Sequence, residues 1–122
     1  MANTRDILGN LMKVEGVTAA AIVGCDGFVI EAAQDSQADV EAVGAVVTTA
    51  FGASEAMGKE LDTGRMVQIM AEFERGMVMA VAIEPDVVLA VISGANSNLG
   101  NIRYYVKRYA RELQTSAYKV GN

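Results

Sequence analysis

Two apolar runs, MVMAVAI (residues 77–83) and VVLAVIS (87–93), flank the turn Glu84-Pro85-Asp86. Each has the length of a strand, and each is apolar on both faces. A strand of that kind must be covered on both sides. The chain therefore needs a sheet lodged between two helical layers. Proline sits well at this turn because its fixed φ suits the first corner position.

The rest of the sequence supplies the partners. VTAAAIV (17–23) and FVIEAA (28–33) are joined across Asp26-Gly27, a strong hairpin signal. RMVQIMAEF (65–73) alternates Val67, Ile69, Ala71 and Phe73 against Met66, Gln68, Met70 and Glu72. This half-polar strand is the candidate sheet edge, where unpaired backbone invites another chain. A first helix is expected over Thr4–Val14, with Ile7, Leu8, Leu11 and Met12 as its stripe, Asn3 or Thr4 as N-cap and Gly16 as a left-handed C-cap. A long helix over 39–61 takes Ser36 or Asp39 as its cap. A last helix, capped by Ser97 or Asn98, directs Leu99, Ile102, Val106, Tyr109 and Leu113 to the sheet. The order α-β-β-α-β-β-β-α predicts an α+β, three-layer α/β/α domain with a five-stranded antiparallel sheet. At 122 residues it is one domain, expected over 1–115, with 116–122 a short flexible tail.

The long helix, DVEAVGAVVTTAFGASEAMGKEL, is unusual on its outer side. Val40, Val43, Val47, Phe51, Met57 and Leu61, with Ala50 and Ser54, form the expected core stripe. The opposite side should be charged if it faces water. It carries instead Gly44, Ala45, Thr48, Thr49, Gly52 and Ala56, with Glu41, Glu55, Lys59 and Glu60 only toward the ends. A mid-helix glycine costs about 1 kcal/mol relative to alanine. The spacing of Gly44, Thr48 and Gly52 points to close packing of another helix there.

Chemistry is sparsely encoded. Histidine is absent, which removes the commonest general base and metal ligand. No Cys/His cluster exists for zinc, and no cofactor or metal is expected. Cys25 has no cationic neighbour in sequence to stabilise a thiolate, and reads as part of a turn. The loop 94–100 precedes a helix but lacks a Walker lysine, and reads as a cap. Asp39 and Glu41 suit a helix N-terminus without catalysis. The methionines read as core or interface filling. The charge of −5 divides into −9 over residues 1–98 and +4 over 99–122. The acidic body argues against nucleic acid, while the basic last helix suits its own dipole, an acidic partner or a membrane surface. No apolar run approaches the roughly 18 residues of a membrane span, and no signal peptide is evident. The expectation is a cytoplasmic protein without membrane insertion.

The run VEGVTAAAIVGCDGFVIEA (14–32) and the segment LAVISGANSNLGNIRYYVKRYARELQ (89–114) resemble the Roadblock family of dynein light-chain-like domains. The likeness is to its prokaryotic type, the gliding-motility regulators of small Ras-like GTPases, with a profilin/longin-like fold. The resemblance implies a homodimer in which the third strand pairs with its copy and the long helices lie side by side. Gly44, Met66, Val67, Gln68, Ile69, Met70, Ala71 and Glu72 would then form the dimer interface. Glu41, Ala45, Thr48, Thr49, Gly52, Glu55, Ala56 and Lys59 would contact a small Ras-like GTPase. The expected function is a non-enzymatic regulator or adaptor that modulates a GTPase cycle. No arginine finger is obvious, Arg75 being the one isolated candidate. Two alternatives stand beside this reading: an adaptor of a motor or signalling complex with no effect on nucleotide, and a hot-dog thioesterase using Glu41 or Asp39.

Overall fold

A computed structural model describes residues 3–35, 39–95 and 97–117. The order is α1 (Thr4–Met12), β1 (Val17–Gly24), β2 (Val29–Gln34), α2 (Val40–Leu61), β3 (Gln68–Phe73), β4 (Gly76–Glu84), β5 (Val87–Gly94) and α3 (Leu99–Glu112). A π-helical turn, Leu113–Ala117, prolongs α3 into the first residues of the expected tail. The five strands form one antiparallel sheet in the order β2-β1-β5-β4-β3. This is the α+β architecture that the sequence predicts.

The two faces of the sheet are built from different residues. One face presents Ile22, Met77, Met79, Val81, Leu89 and Val91, packed with Ile7, Leu8 and Leu11 of α1 and Ile102, Val106 and Ala110 of α3. The other presents Ala19, Ala21, Ala80, Ala90, Val23 and Val88 to α2. Large side chains hold helices away from a sheet, whereas alanines let one come close. The doubly apolar β4 and β5 therefore serve a thick layer on one side and a thin one on the other. A hot-dog sheet wraps a single long helix. Here α1 and α3 cover the opposite face, which is not the hot-dog arrangement.

The caps follow local chemistry. Asn3 Oδ1 accepts from the Asp6 N–H at 2.8 Å, Asp39 Oδ1 from Ala42 at 3.1 Å and Asn98 Oδ1 from Asn101 at 2.9 Å. Ser36, the other candidate cap of α2, lies outside the described residues. Helix α1 ends earlier than expected, at Met12, with Lys13 as a right-handed C-cap. Gly16, at φ 96°, instead turns the chain into β1. Asp62 takes the left-handed conformation that closes α2. Strand β3 is shorter than predicted because residues 65 and 66 are tied to Glu55 of α2.

Helix α2 is rotated from the predicted orientation. Its buried residues are Val40, Gly44, Val47, Thr48 and Phe51, while Met57 and Leu61 are exposed. The alanine face of the sheet explains the rotation, since Gly44 is what allows the helix to settle against Val23 and Val29. A Cβ at Gly44 would lie 3.3 Å from a methyl of each valine. Thr48 is tolerated inside because its hydroxyl donates to the carbonyls of Gly44 and Ala45. The C-terminal half of α2 extends beyond this packed zone, which leaves Met57 and Leu61 without a core to fill.

This geometry separates two glycines. Gly44→Val should destabilise the fold by about 1–3 kcal/mol through overpacking. Gly52→Ala, where a Cβ meets nothing within 4 Å, should stabilise it by about 0.5–1 kcal/mol through helix propensity. Urea unfolding at one fixed protein concentration checks both signs.

Candidate functional site

Helix α2 packs over β1, β2 and β5. It leaves β3 and the Val78 end of β4 open on that face. Between the helix flank and the uncovered strands runs an apolar groove of about 570 Å³. Ala42, Val46 and Ala50 form its helical wall, and Ile69, Phe73 and Val78 line the strand side. Val46 is 68% exposed and Phe73 is 62% exposed. Exposed apolar side chains gathered in one concavity mark a contact surface rather than scattered surface residues.

The groove adjoins β3, which among the described residues pairs with β4 alone and forms one edge of the sheet. The β3–β4 pairing runs from Gln68↔Val81 to Phe73↔Gly76 without a shift. At the other edge, β2 meets β1 with a register shift between Ile22 and Val23. A bulge of that kind twists an edge away from further pairing. Of the two edges, β3 is the regular one.

The expected interface residues fall into three groups. Along β3 and the two residues before it, Val67, Met70, Ala71 and Glu72 are exposed, while Met66, Gln68 and Ile69 are half-buried. On α2, Glu41, Ala45, Thr49, Gly52, Ala56 and Lys59 share an exposed outer face. Thr49 donates its hydroxyl to the Ala45 carbonyl at 2.9 Å, so the face presents methyl groups rather than donors. Gly44 and Thr48 belong to neither surface. Both are buried toward the sheet, which corrects their expected roles in dimer and partner contact. Glu55 is already engaged within the chain: it accepts from the Met66 N–H and pairs with Arg65 at 3.4 Å.

Three residues that the sequence reading placed in or beside the core, or did not single out, line the groove instead: Ala42, Val46 and Ala50. The pattern that could have revealed them is the excess of apolar positions on α2. A helix seated on half a sheet needs one stripe, and this one carries two.

The remaining candidate groups have structural partners. Cys25 is exposed, but burial of its thiol and the carboxylates of Asp86, Glu55 and Asp26 push its pKa up. It stays protonated and is a poor nucleophile at neutral pH. In the loop before α3, the Ser97 hydroxyl donates to the Gly94 carbonyl at 2.6 Å, and Asn98 is occupied as the cap. Arg75 lies against its neighbour Glu74 at 3.7 Å. Among the described residues no group of His, Cys, Asp and Glu has the arrangement of a metal site. No described helix is long and apolar enough to cross a membrane.

Comparison with known proteins agrees with this geometry. The Roadblock/LC7 domain model matches residues 4–93. An uncharacterized protein of Methanocaldococcus jannaschii is 37% identical over 108 residues, covering 88% of this chain and 94% of its own length. The gliding protein MglB of Thermus thermophilus superposes with a TM-score of 0.85 at 18% identity, covering 94% of this chain and 88% of that one. A structure of MglB in a tetrameric arrangement superposes with a TM-score of 0.86 at 18% identity, with the same coverage. At these identities the structural likenesses speak for the fold, whereas the domain match and the archaeal relative speak for descent. The chain belongs to the Roadblock/LC7 family.

Proposed function

We propose that the protein is a non-enzymatic homodimeric regulator that binds a small Ras-like GTPase and modulates its nucleotide cycle. The observation that carries the reading is the juxtaposition of a regular open edge strand with an apolar groove beside it. Antiparallel pairing of two β3 strands about a two-fold axis satisfies both rows of backbone groups. It also brings a second α2 over the uncovered β3 side of that face, where its Val46 flank fills the groove. The tetrameric arrangement reported for MglB is consistent with a fold that associates with itself.

Two flanks of α2 then take two tasks. Ala42, Val46 and Ala50 belong to the dimer contact, together with Ile69, Met70, Ala71 and Phe73 of β3. Ala45, Thr49, Gly52 and Ala56, with Glu41 and Lys59 at the rim, remain outward and are doubled by the symmetry. A flat platform of small side chains lets a folded partner approach the helix backbones closely. Such a platform alters a GTPase cycle by holding one switch conformation more tightly than the other. With Arg75 lying beside Glu74 and Arg65 pairing with Glu55, the reading is that the GTPase's own groups perform hydrolysis.

The double variant Val46→Asp/Phe73→Asp places charges in the groove while leaving the protomer core intact. It should sediment as a monomer, with the dimer dissociation constant raised by about 100-fold or more. A variant that still sediments as a dimer refutes the groove as its seam.

Gly52→Arg should keep the dimer and weaken binding of a GTP-loaded Ras-like GTPase by about tenfold or more. Unchanged binding would remove the helix platform from the proposal. GTP turnover measured with and without the protein separates regulation from pure tethering. A stable complex whose turnover is unaltered assigns the adaptor role instead.

A further inference from the structure

The face opposite α2 carries a cationic ridge that the GTPase reading does not use. Arg103, Lys107 and Arg111 recur every fourth residue along the exposed side of α3. At 1.5 Å per residue they stand about 6 Å apart along the axis. Arg108 beside them pairs with Glu112 at 3.7 Å. Among the described residues, Arg103, Lys107 and Arg111 enter no salt bridge. Among the described residues three cations thus have no ion pair, on a protein whose net charge is −5.

Next to the ridge is a groove of about 240 Å³ between α3 and the start of β3. Val67, Val81, Ala82 and Ala110 give it an apolar lining, and Lys107 and Arg111 stand beside them. Val67 is 64% exposed. The groove has room for an apolar side chain, with cations along one wall only.

We propose that this groove and ridge dock an acidic peptide segment of a partner protein. One apolar side chain of the segment sits against Val67 and Ala110, and its carboxylates meet Lys107, Arg111 and Arg103. The spacing suits such a segment in either regular form. Same-side residues recur about every 6 Å in a helix and about every 6.6 Å in a strand. Charge complementarity of this kind steers encounter and fixes register. A flat anionic membrane fits less well, because the site is concave and the net charge of the protein opposes approach to an anionic sheet. The site shares no lining residue with the groove beside α2, so it stands independently of the GTPase reading.

The test uses a fluorescein-labelled short peptide of alternating glutamate and leucine, its counterpart with lysine for glutamate, and phosphatidylcholine vesicles with and without phosphatidylserine. The acidic peptide should bind by fluorescence anisotropy, weaken with added salt, and shift the backbone amide resonances of Val67, Val81, Ala82 and Ala110. The lysine peptide should not bind. The double variant Lys107→Glu/Arg111→Glu, whose side chains are exposed and whose fold circular dichroism checks, should bind the acidic peptide about tenfold or more weakly. Equal binding by that variant, shifts confined to α2, or no binding of the acidic peptide would overturn the proposal. Binding to phosphatidylserine vesicles without peptide binding would overturn it in favour of a membrane surface.

Discussion

The close approach of α2 to an alanine-lined sheet is the constraint on which the remaining structure depends. Ala19, Ala21, Ala80 and Ala90 create a shallow bed, and Gly44 lets the helix lie in it. Because the contact is close, it is also narrow. The helix spends Val40, Gly44, Val47, Thr48 and Phe51 on the sheet and has apolar residues to spare. Those residues, with the uncovered half of the same sheet face, become the exposed groove. Interior packing on one side of α2 thus determines what the other sides present. The opposite face obeys the reverse rule. There Met77, Met79, Leu89 and Ile22 fill a thick layer covered by α1 and α3.

The fold was legible because its signals were redundant. Two doubly apolar strands demanded covering on both faces, the Asp26-Gly27 and Pro85 turns set the hairpins, and Asn3, Asp39 and Asn98 began the helices where caps were expected. The orientation of α2 was less legible. Hydrophobicity placed Met57 and Leu61 inside and Gly44 and Thr48 outside, which is a sound rule for a helix on a bed of large side chains. The bed here is made of alanines. Size complementarity outweighed hydrophobicity, and that depends on which strands lie beneath the helix, a property of tertiary arrangement rather than of the helix's own sequence.

The candidate site was half legible for the same reason. The β3 edge followed from its alternating pattern, and the outer face of α2 followed from its lack of charge. The flank of Ala42, Val46 and Ala50 did not, because a residue facing an empty half-sheet looks in sequence like a residue facing a full one. Glu55 was also hidden, since its partners Met66 and Arg65 come from a turn that follows the helix. A carboxylate on a bland helix reads as a solvated rim until the chain is seen to fold back onto it.

That carboxylate has a mechanical consequence. Glu55 belongs to the helix that bears the outward platform, and Met66 and Arg65 lead directly into the edge strand. The latch therefore joins the two surfaces by a chain of one side chain and two residues. Any displacement of the second half of α2 must either carry the beginning of β3 with it or expose a half-buried carboxylate and a backbone donor without partners. The cost of that second course makes the helix and strand move as one body. Were the proposed dimer seam and partner platform both occupied, this latch would link them, each altering the affinity of the other by the same factor.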